Sequence, residues 1–420
     1  MRRLLLVALA VSGCVARAPP ADFVLRIAVV GPLAPLAHDT RLTATTFAQD
    51  LVYEQVLRPE GAALGSRLLA RYERDARGIK AYLAPGRRFS DGSPVEVEDL
   101  VRSIRAAGLE AEAAGDGALE VLAPPDGAPL EARLALVAVF RPGPQGDLGT
   151  GPYRLVSASE HQLVVERVKP VPGRIGRVEL VSTASIREAF AKTLKGETNA
   201  VVNLEARHAE LAEGVPGLQV VRGRGPHAAA IILNAERLGP AERRQIAEAL
   251  PLAEIEEVAQ GRSCEPPPEG VEVTPLPPGA EFTLAVATLD GPIERAGLAV
   301  RRGLGARGGT LLRVSAEEAW TRRASYDLIV NNVLVWPPSI SALYWKTGAP
   351  WNWTHYSNPA YDESLQRGDY AGAEAALARD PPVLLLCRSE RIAAVDSRIR
   401  NPSLGAFGLL ETLPDWEVVR

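Results

Sequence analysis

FSDGSPVEVEDL, residues 89–100, is the stretch that decides the fold. Its Asp91-Gly92 pair predicts a tight turn, because Gly accepts the positive φ that such turns require. The wider segment 81–108 predicts a strand before this turn and a helix after it. A strand, a turn and a helix in this order are typical of a domain in which helices cover a sheet.

The helix predicted after the turn has start signals of its own. Pro94 disfavours helix before it, Glu96 stands at the expected N-cap, and Asp99 follows three residues later. Val101 and Ile104 are spaced so that they share one face of the helix. The stretch therefore predicts an amphipathic helix that packs on a core.

Strands and helices alternate along the rest of the chain. Apolar, β-branched runs at 23–31, 228–234 and 326–336 predict buried strands. The spacing of apolar residues at 47–57 and 240–250 predicts helices. Alternation of this kind indicates α/β lobes. With 420 residues, 46% of them apolar, the chain is long enough for two or three domains.

The charge balance argues against nucleic acid as a partner. Lys and Arg together number 47 and Asp and Glu number 51, which gives a net charge of -4. A chain with this balance has no general positive field that would attract phosphate backbones.

The N-terminus, MRRLLLVALAVSGC, has the features of an export signal. Two Arg precede an apolar run too short to span a bilayer, and small residues stand before Cys14. We expect residues 1–13 to be a lipoprotein signal peptide, Cys14 to be acylated and residues 14–22 to be a tether to the membrane. The alternative is an ordinary signal peptide in which the position of the cysteine is accidental.

Two further cysteines, Cys264 and Cys387, would lie in the oxidising compartment to which such a signal leads. They either form a disulfide or remain two separate buried thiols, and the sequence favours neither arrangement.

Several segments stand in the same order as in family 5 extracellular solute-binding proteins, the peptide, oligopeptide and nickel receptors of ABC importers. The chain resembles this family most in FSDGSPVEVEDL and nearly as much in GTGPY at 149–153. Further similar stretches are LVYEQVLRPEG, YDLIVNNVLVW and HYSNPAYDESL. Together the similar stretches cover most of the mature chain.

The resemblance implies an α/β fold made of two lobes, a type II-like periplasmic-binding-protein clamp with a small extra subdomain in the first lobe. Lobe I would comprise 23–235 and 386–420, with the inserted subdomain at 46–145, and lobe II would comprise 236–385. The chain would then cross between the lobes twice, and solute would enter the cleft between them.

The function implied by the resemblance is that of a substrate-binding lipoprotein without enzymatic activity. It would be a monomer in the periplasm or on the extracytoplasmic face of a membrane, and would deliver a peptide or other small solute to an ABC permease. Peptide-binding members carry an Asp in the segment that corresponds to 331–340, where this chain has no acidic residue. The alternative is therefore a clamp that has lost transport and serves as an envelope sensor or partner-binding lipoprotein.

The best candidates for ligand contact lie in and before WPPSISALYWKTGAPWNW, residues 336–353, which contains four of the six Trp. Trp336 stands at the carboxyl end of a predicted strand, where α/β proteins bind ligands, and its face can stack on rings or cations. The alternative is an aromatic core. The other candidate ligand-binding residues are Asn331, Asn332, Tyr344 and Trp345.

No constellation in the sequence points to catalysis, a metal site or a cofactor. The five His are scattered, and none has a second ligand at helical or hairpin spacing. Arg222 and Arg224, which stand beside glycines, either bind an anionic ligand or lie at a hinge or on the surface.

Overall fold

The predicted signal peptide, Cys14, the tether, Cys264 and Trp336 lie outside the part of the chain that the structure describes, so the predictions about them stay predictions. The structure is a computed structural model. It describes residues 23–39, 43–60, 63–75, 77–125, 129–144, 146–260, 274–287, 291–335, 342–405 and 408–419.

Strands and helices alternate over most of the described residues, as the sequence predicts. The strands are β1 (Val24–Val30), β2 (Arg58–Glu60), β3 (Ala63–Gly65), β4 (Leu69–Arg74), β5 (Gly78–Leu83), β6 (Ala111–Ala113), β7 (Ala118–Leu122), β8 (Phe140–Arg141), β9 (Leu148–Gly149), β10 (Tyr153–Ala158), β11 (Gln162–Arg167), β12 (Arg177–Thr183), β13 (Ala200–Val202), β14 (Leu218–Leu233), β15 (Leu284–Ala287), β16 (Leu311–Val314), β17 (Leu328–Leu334), β18 (Val383–Asp396), β19 (Ile399–Arg400) and β20 (Glu417–Val418). The α-helices are α1 (Thr43–Val52), α2 (Val97–Ala106), α3 (Leu130–Leu134), α4 (Ile186–Leu194), α5 (Ala206–Glu213), α6 (Pro240–Ala249), α7 (Leu252–Gln260), α8 (Gly291–Gly303), α9 (Ala316–Thr321), α10 (Ala342–Trp345), α11 (Pro359–Gln366) and α12 (Tyr370–Arg379).

One mixed sheet of ten strands joins both halves of the molecule, in the order β10-β11-β12-β1-β13-β18-β14-β17-β15-β16. In one half, β1 pairs in parallel with β12 and β13; in the other, β15 pairs in parallel with β16 and β17. The antiparallel strands β14 and β18 lie between these halves and are 16 and 14 residues long. We call the half with β1, β12 and β13 lobe I, and the half with β15, β16 and β17 lobe II.

Each lobe has its own hydrophobic core. Leu25, Ile27 and Trp416 are completely buried in a lobe I cluster, whereas Leu284 and Val330 are completely buried in a lobe II cluster. Burial of such side chains contributes about 1.5–3 kcal/mol each, so both lobes are stabilised independently of each other. The α/β, two-lobed fold class predicted from the sequence is thus observed.

A second sheet, in the order β4-β5-β7-β6, forms the small extra subdomain next to lobe I. Its core contains Phe89, Leu100 and Ile104 from the stretch that decides the fold and the helix that follows it. Helix α2 covers this sheet with the face that the sequence predicts to be apolar.

The turn and helix start predicted for residues 89–100 are both present. Gly92 has a φ of 89°, and Asp91 Oδ1 accepts hydrogen bonds from the Ser93 backbone N–H (2.9 Å) and hydroxyl (2.6 Å). The backbone N–H of Glu96 donates to Asp99 Oδ2 at 2.9 Å, just before α2 begins. Local side chains therefore fix both the turn and the first turn of the helix.

Two predicted elements have different bounds in the structure. The helix predicted at 47–57 is α1, which ends at Val52, because the next residues turn toward a neighbouring segment and Val56 N–H donates to the Val137 carbonyl (2.9 Å). The strand predicted at 228–234 begins ten residues earlier, at Leu218, because its first half pairs with β18.

Candidate functional site

The two lobes meet where β14 and β18 cross between them. Residues Leu218 to Arg224 pair with the lobe I end of β18, and the pairing resumes at Ala228 with a shift in register. Residues 225–227 form an irregular stretch between these paired segments, which has the character of a β-bulge. Bulges re-aim side chains and are frequent beside functional sites.

His227 lies in this irregular stretch and is exposed, although all the other residues from 225 to 234 are buried. The surrounding protein nevertheless lowers the pKa of the imidazole to about 4 through burial, and the nearby Arg391 lowers it further. A side chain that solvent reaches while protein surrounds it lies in a crevice. His227 therefore presents a neutral imidazole to solvent where β14 crosses between the lobes.

Two arginines on β18 flank His227. Arg388 Nε donates to the Gly225 carbonyl at 2.8 Å, and Arg391 Nη1 donates to the Gly405 carbonyl at 2.6 Å. Burial lowers the pKa of both guanidinium groups. Both nevertheless stay charged at neutral pH, because Arg is the most basic of the side chains. Their hydrogen bonds tie the crossing strands together and connect them to the C-terminal segment.

An acidic group from lobe I lies close to Arg391. Burial, and then repulsion from Glu411, raises the pKa of Asp50 to about 7, while Arg391 and backbone N–H groups oppose this shift. The backbone of Gly408 approaches Asp50 so closely that a Cβ atom at that position would lie 2.4 Å from the carboxyl carbon. Asp50, Gly408 and Glu411 line a small surface pocket together with Tyr53, Glu54, Gln55, Arg58, Arg67, Pro152 and Pro414.

Tyr344 and Trp345, two of the predicted ligand-binding residues, are packed in an aromatic cluster of lobe II. Their exposed fractions are 9% and 5%, and the Tyr344 ring lies 5.1 Å from that of Trp351. Ala132 of α3, in the extra subdomain, is completely buried in the same cluster. In this conformation the two rings are core residues, so we leave them out of the candidate site. For Tyr344 and Trp345 the structure thus fits the alternative that the sequence left open, an aromatic core.

Asn331 and Asn332 are half-buried neighbours in β17. They pair with Ala230 and Ala229 of β14, and successive residues of a strand point to opposite faces of the sheet. Asn331 Oδ1 accepts the backbone N–H of Asn332 at 2.8 Å. The expectation that both amides face one ligand therefore does not fit the strand geometry, and at most one of them contacts a given solute.

The residue before Trp336 is fixed to the irregular stretch of β14. Val335 N–H donates to the Pro226 carbonyl at 2.7 Å, directly beside His227. The position of Val335 thus keeps Trp336 in the candidate site as a prediction.

Arg222 lies on the surface, which is one of the alternatives that the sequence left open. Its guanidinium pairs with Glu213 at 2.8 Å and with Glu390 at 3.3 Å. An arginine with two carboxylate partners of its own has less to offer an anionic ligand.

The described residues contain no group of three His, Cys, Asp or Glu side chains placed to hold a metal ion. Within the same residues, none of the helices is both long and apolar enough to cross a membrane.

Sequence reasoning missed His227, Asp50 and Arg391 as candidate functional residues. His227 belongs to the run GRGPH, whose glycines and proline are typical of a loop, and only the pairing with β18 shows that the run crosses between lobes. A single polar residue directly before the apolar run AAAIIL was the one available signal. The proximity of Asp50 to Arg391 depends on residues 341 positions apart and had no local signal.

No protein-family model matches the chain, and no curated protein sequence matches it. Solved structures, in contrast, match it over nearly its whole length. AgaA of A. tumefaciens R10, solved in complex with agropinic acid, is 14% identical over 95% of this chain and 99% of its own, with a TM-score of 0.75.

Two further structures with other ligands are similarly close. DppA of Helicobacter pylori, in complex with the peptide STSA, is 13% identical over 95% of this chain and 98% of its own, with a TM-score of 0.74. NikA of Staphylococcus aureus, in complex with Ni(L-His)2, is 12% identical over 94% of this chain and 99% of its own, with a TM-score of 0.72. At such identities the likeness establishes the fold, and the chain has the two-lobed fold of the family 5 extracellular solute-binding proteins.

Proposed function

We propose that the protein is the substrate-binding lipoprotein of an ABC importer, which captures a small solute between its lobes and delivers it to a membrane permease. The observation that carries the proposal is the pair of long strands, β14 and β18, that joins two separately cored lobes. Such a connection permits the hinge motion by which a clamp closes on its ligand. This function requires no covalent chemistry, so we propose a non-enzymatic role.

The lobe boundaries follow from the crossing. The sequence led us to expect them at 235/236 and 385/386, but the β14 residues Ala229, Ile231 and Leu233 are packed in a lobe II core. We therefore place the boundaries at the irregular stretch 225–227 and at the facing part of β18, near Arg388. The subdomain at 46–145 remains an insertion in lobe I, although its α1 residues pack in the lobe I core.

The solute-binding site in this proposal consists of Trp336 together with His227 and Arg391. The segment 331–340, which contains Trp336 and has no acidic residue, provides no counter-ion for the ammonium group of a peptide, and His227 is neutral above about pH 4. We therefore expect recognition by ring stacking and by hydrogen bonds. Candidate solutes are those named for structures of the same fold: short peptides, agropinic acid and nickel-histidine.

The remaining parts of the proposal concern location and partners. Acylation of Cys14 would anchor the protein to a membrane outside the cytoplasm, with residues 14–22 as a tether. The protein would act as a monomer, because one chain of this fold encloses a complete crevice.

A thermal-shift screen of the purified protein tests the proposal. The probes are the dipeptide Met-Leu, the peptide STSA, agropinic acid and Ni(II) with L-His, and a bound probe raises the melting temperature because it binds only the folded state. At a concentration of 100 times Kd the gain in unfolding free energy is about 2.7 kcal/mol.

Trp336→Ala should weaken binding of the stabilising probe, whereas Tyr370→Ala, which removes an exposed ring from α12 far along the chain, should leave it unchanged. If none of the four probes shifts the melting temperature of the wild-type protein, the proposed solute classes are wrong.

A further inference from the structure

The carboxyl ends of β13 and β15 point toward each other from opposite lobes. β13 is antiparallel to β18, which runs from lobe II to lobe I, so β13 runs toward lobe II. β15 is parallel to β17, which is antiparallel to β14, so β15 runs toward lobe I. Each strand is separated from β14 by one strand, β18 on one side and β17 on the other. Lobe closure therefore brings the residues that follow these two strands together.

An ion pair joins the lobes at this place. Glu205 is the N-cap residue of α5, three positions after β13 ends at Val202, and Arg295 lies in the second turn of α8. Arg295 Nη1 and Glu205 Oε2 are 3.2 Å apart. The side chains are 36% and 19% exposed, so the pair is only partly screened by solvent.

The guanidinium of Arg295 is positioned by its own lobe before it reaches across. Its Nε donates to the Val258 carbonyl at 3.2 Å and its Nη2 donates to the Ala259 carbonyl at 2.9 Å, both near the C-terminus of α7. Fixing two edges of the guanidinium leaves Nη1 aimed at lobe I. A group held in this way loses little side-chain entropy when the interlobe contact forms.

Glu205 is likewise positioned on the lobe I side. Arg207 Nε lies 3.2 Å from the same Oε2 atom, and Leu204 N–H donates to the Ile392 carbonyl of β18 at 2.9 Å. The carboxylate is therefore tied to its own helix, and the backbone just before it is tied to a crossing strand. An opening of the lobes would separate it from Arg295 but not from Arg207.

We infer that Glu205 and Arg295 form a latch that favours the closed state of the solute-free protein. The inference rests on the proposed function, because it assigns a regulatory contact to the same crevice. Solute binds the closed state more tightly, so the apparent affinity scales with the fraction of molecules that are closed. The latch thus sets the affinity without touching the solute.

Charge reversal tests the latch on the solute-free protein. In Arg295→Glu two carboxylates face each other, and in Glu205→Arg three guanidinium groups meet, so both variants should open and show a larger radius of gyration by small-angle X-ray scattering. The double variant, Glu205→Arg with Arg295→Glu, restores opposite charges and should return the radius toward the wild-type value. Neutralisation in Glu205→Gln should change the closed-to-open ratio by about 2- to 5-fold, the range for a partly exposed pair.

The matched control is Glu294→Arg, on the same helix, because Glu294 pairs with Arg313 inside lobe II. It should leave the radius unchanged, and melting curves of all variants separate opening from unfolding. The latch is wrong if the single reversals keep the wild-type radius, or if the double variant is as open as the singles. Because no solute is present, that result would leave the proposed receptor function standing, and a failed solute screen would leave the latch standing.

Discussion

The backbone N–H of Val335 donates to the carbonyl oxygen of Pro226 at 2.7 Å, which fixes the end of β17 to the irregular part of β14. This bond brings the residue before Trp336 next to His227. The described part of the segment that leads to the predicted ligand-binding residue Trp336 thus ends beside His227.

His227→Ala should weaken binding of whichever probe stabilises the wild-type protein by about 2- to 12-fold, since a single hydrogen bond contributes about 0.5–1.5 kcal/mol. His227→Gln should recover part of the loss, because its amide keeps a donor and an acceptor. Isothermal titration calorimetry gives both values. The melting temperature without probe should hardly change, because the side chain is exposed. Equal affinities for wild type and Ala variant would remove His227 from the site.

The pH dependence of binding offers a second check on His227. Burial and Arg391 lower the pKa of its imidazole to about 4, so the ring is neutral throughout the range from about pH 5.5 to 8. Affinity should therefore show no His227-dependent change in that range, and the wild-type and Gln variants should have parallel pH profiles there. A step near pH 6.5 that disappears in the Gln variant would show an imidazole with an ordinary pKa.

Ala132 should be sensitive to the addition of a charge. It is completely buried in the aromatic cluster of lobe II although it belongs to the subdomain of lobe I, so a larger or charged residue there opposes closure. Ala132→Glu should increase the radius of gyration and weaken probe binding. Leu136→Glu, at a 37% exposed position just after the same helix, is the control and should change neither quantity.

The raised pKa of Asp50 predicts that the folded protein loses stability as the pH rises. Its pKa is raised from 3.8 to about 7 by burial and by Glu411, so the folded state holds a proton that the unfolded state releases. The stabilisation is fully present below about pH 4 and is lost as the pH rises to about 7. Urea unfolding of Asp50→Asn across this range should lack that decline, whereas Glu98→Gln, at an exposed position, should follow the wild type. Parallel profiles for all three proteins would show that Asp50 titrates normally.

The sequence predicted the fold well because its strongest signals are local. The Asp91-Gly92 turn, the start of α2 and the apolar runs of β1 and β17 depend on residues close together in the chain. The first half of β14 escaped prediction because Gly223, Gly225 and Pro226 read as a loop.

The candidate site was harder to predict, for a related reason. Tyr344 and Trp345 have the chemistry of ligand-binding residues, but their exposure depends on how α3 packs against lobe II. The residues next to His227 in the chain give little indication that it belongs to a site. Only the pairing of β14 with β18 reveals that it lies where the chain crosses between the lobes.

Asp99 should be a sensitive position of the stretch that decides the fold. It is 2% exposed, and it accepts hydrogen bonds from Arg141 Nε (2.9 Å), Arg102 Nη1 (2.7 Å) and the Glu96 backbone N–H (2.9 Å). Burial alone would raise its pKa, but these hydrogen bonds, led by that of Arg141, outweigh burial and lower it. The stabilisation is therefore present above the ordinary pKa of Asp and is lost as the pH falls through the lowered value.

Asp99→Ala should cost about 3 kcal/mol of unfolding free energy at neutral pH, because it leaves the half-buried Arg141 without its carboxylate and the helix without this cap. Glu98→Ala, the exposed neighbour in the same helical turn, should change it by less than about 0.5 kcal/mol. Chemical unfolding at pH 7 and at pH 3 measures both effects, and the difference between wild type and Asp99→Ala should shrink at the lower pH. A loss that is equally large at both pH values would mean that Asp99 acts through packing and not through its charge.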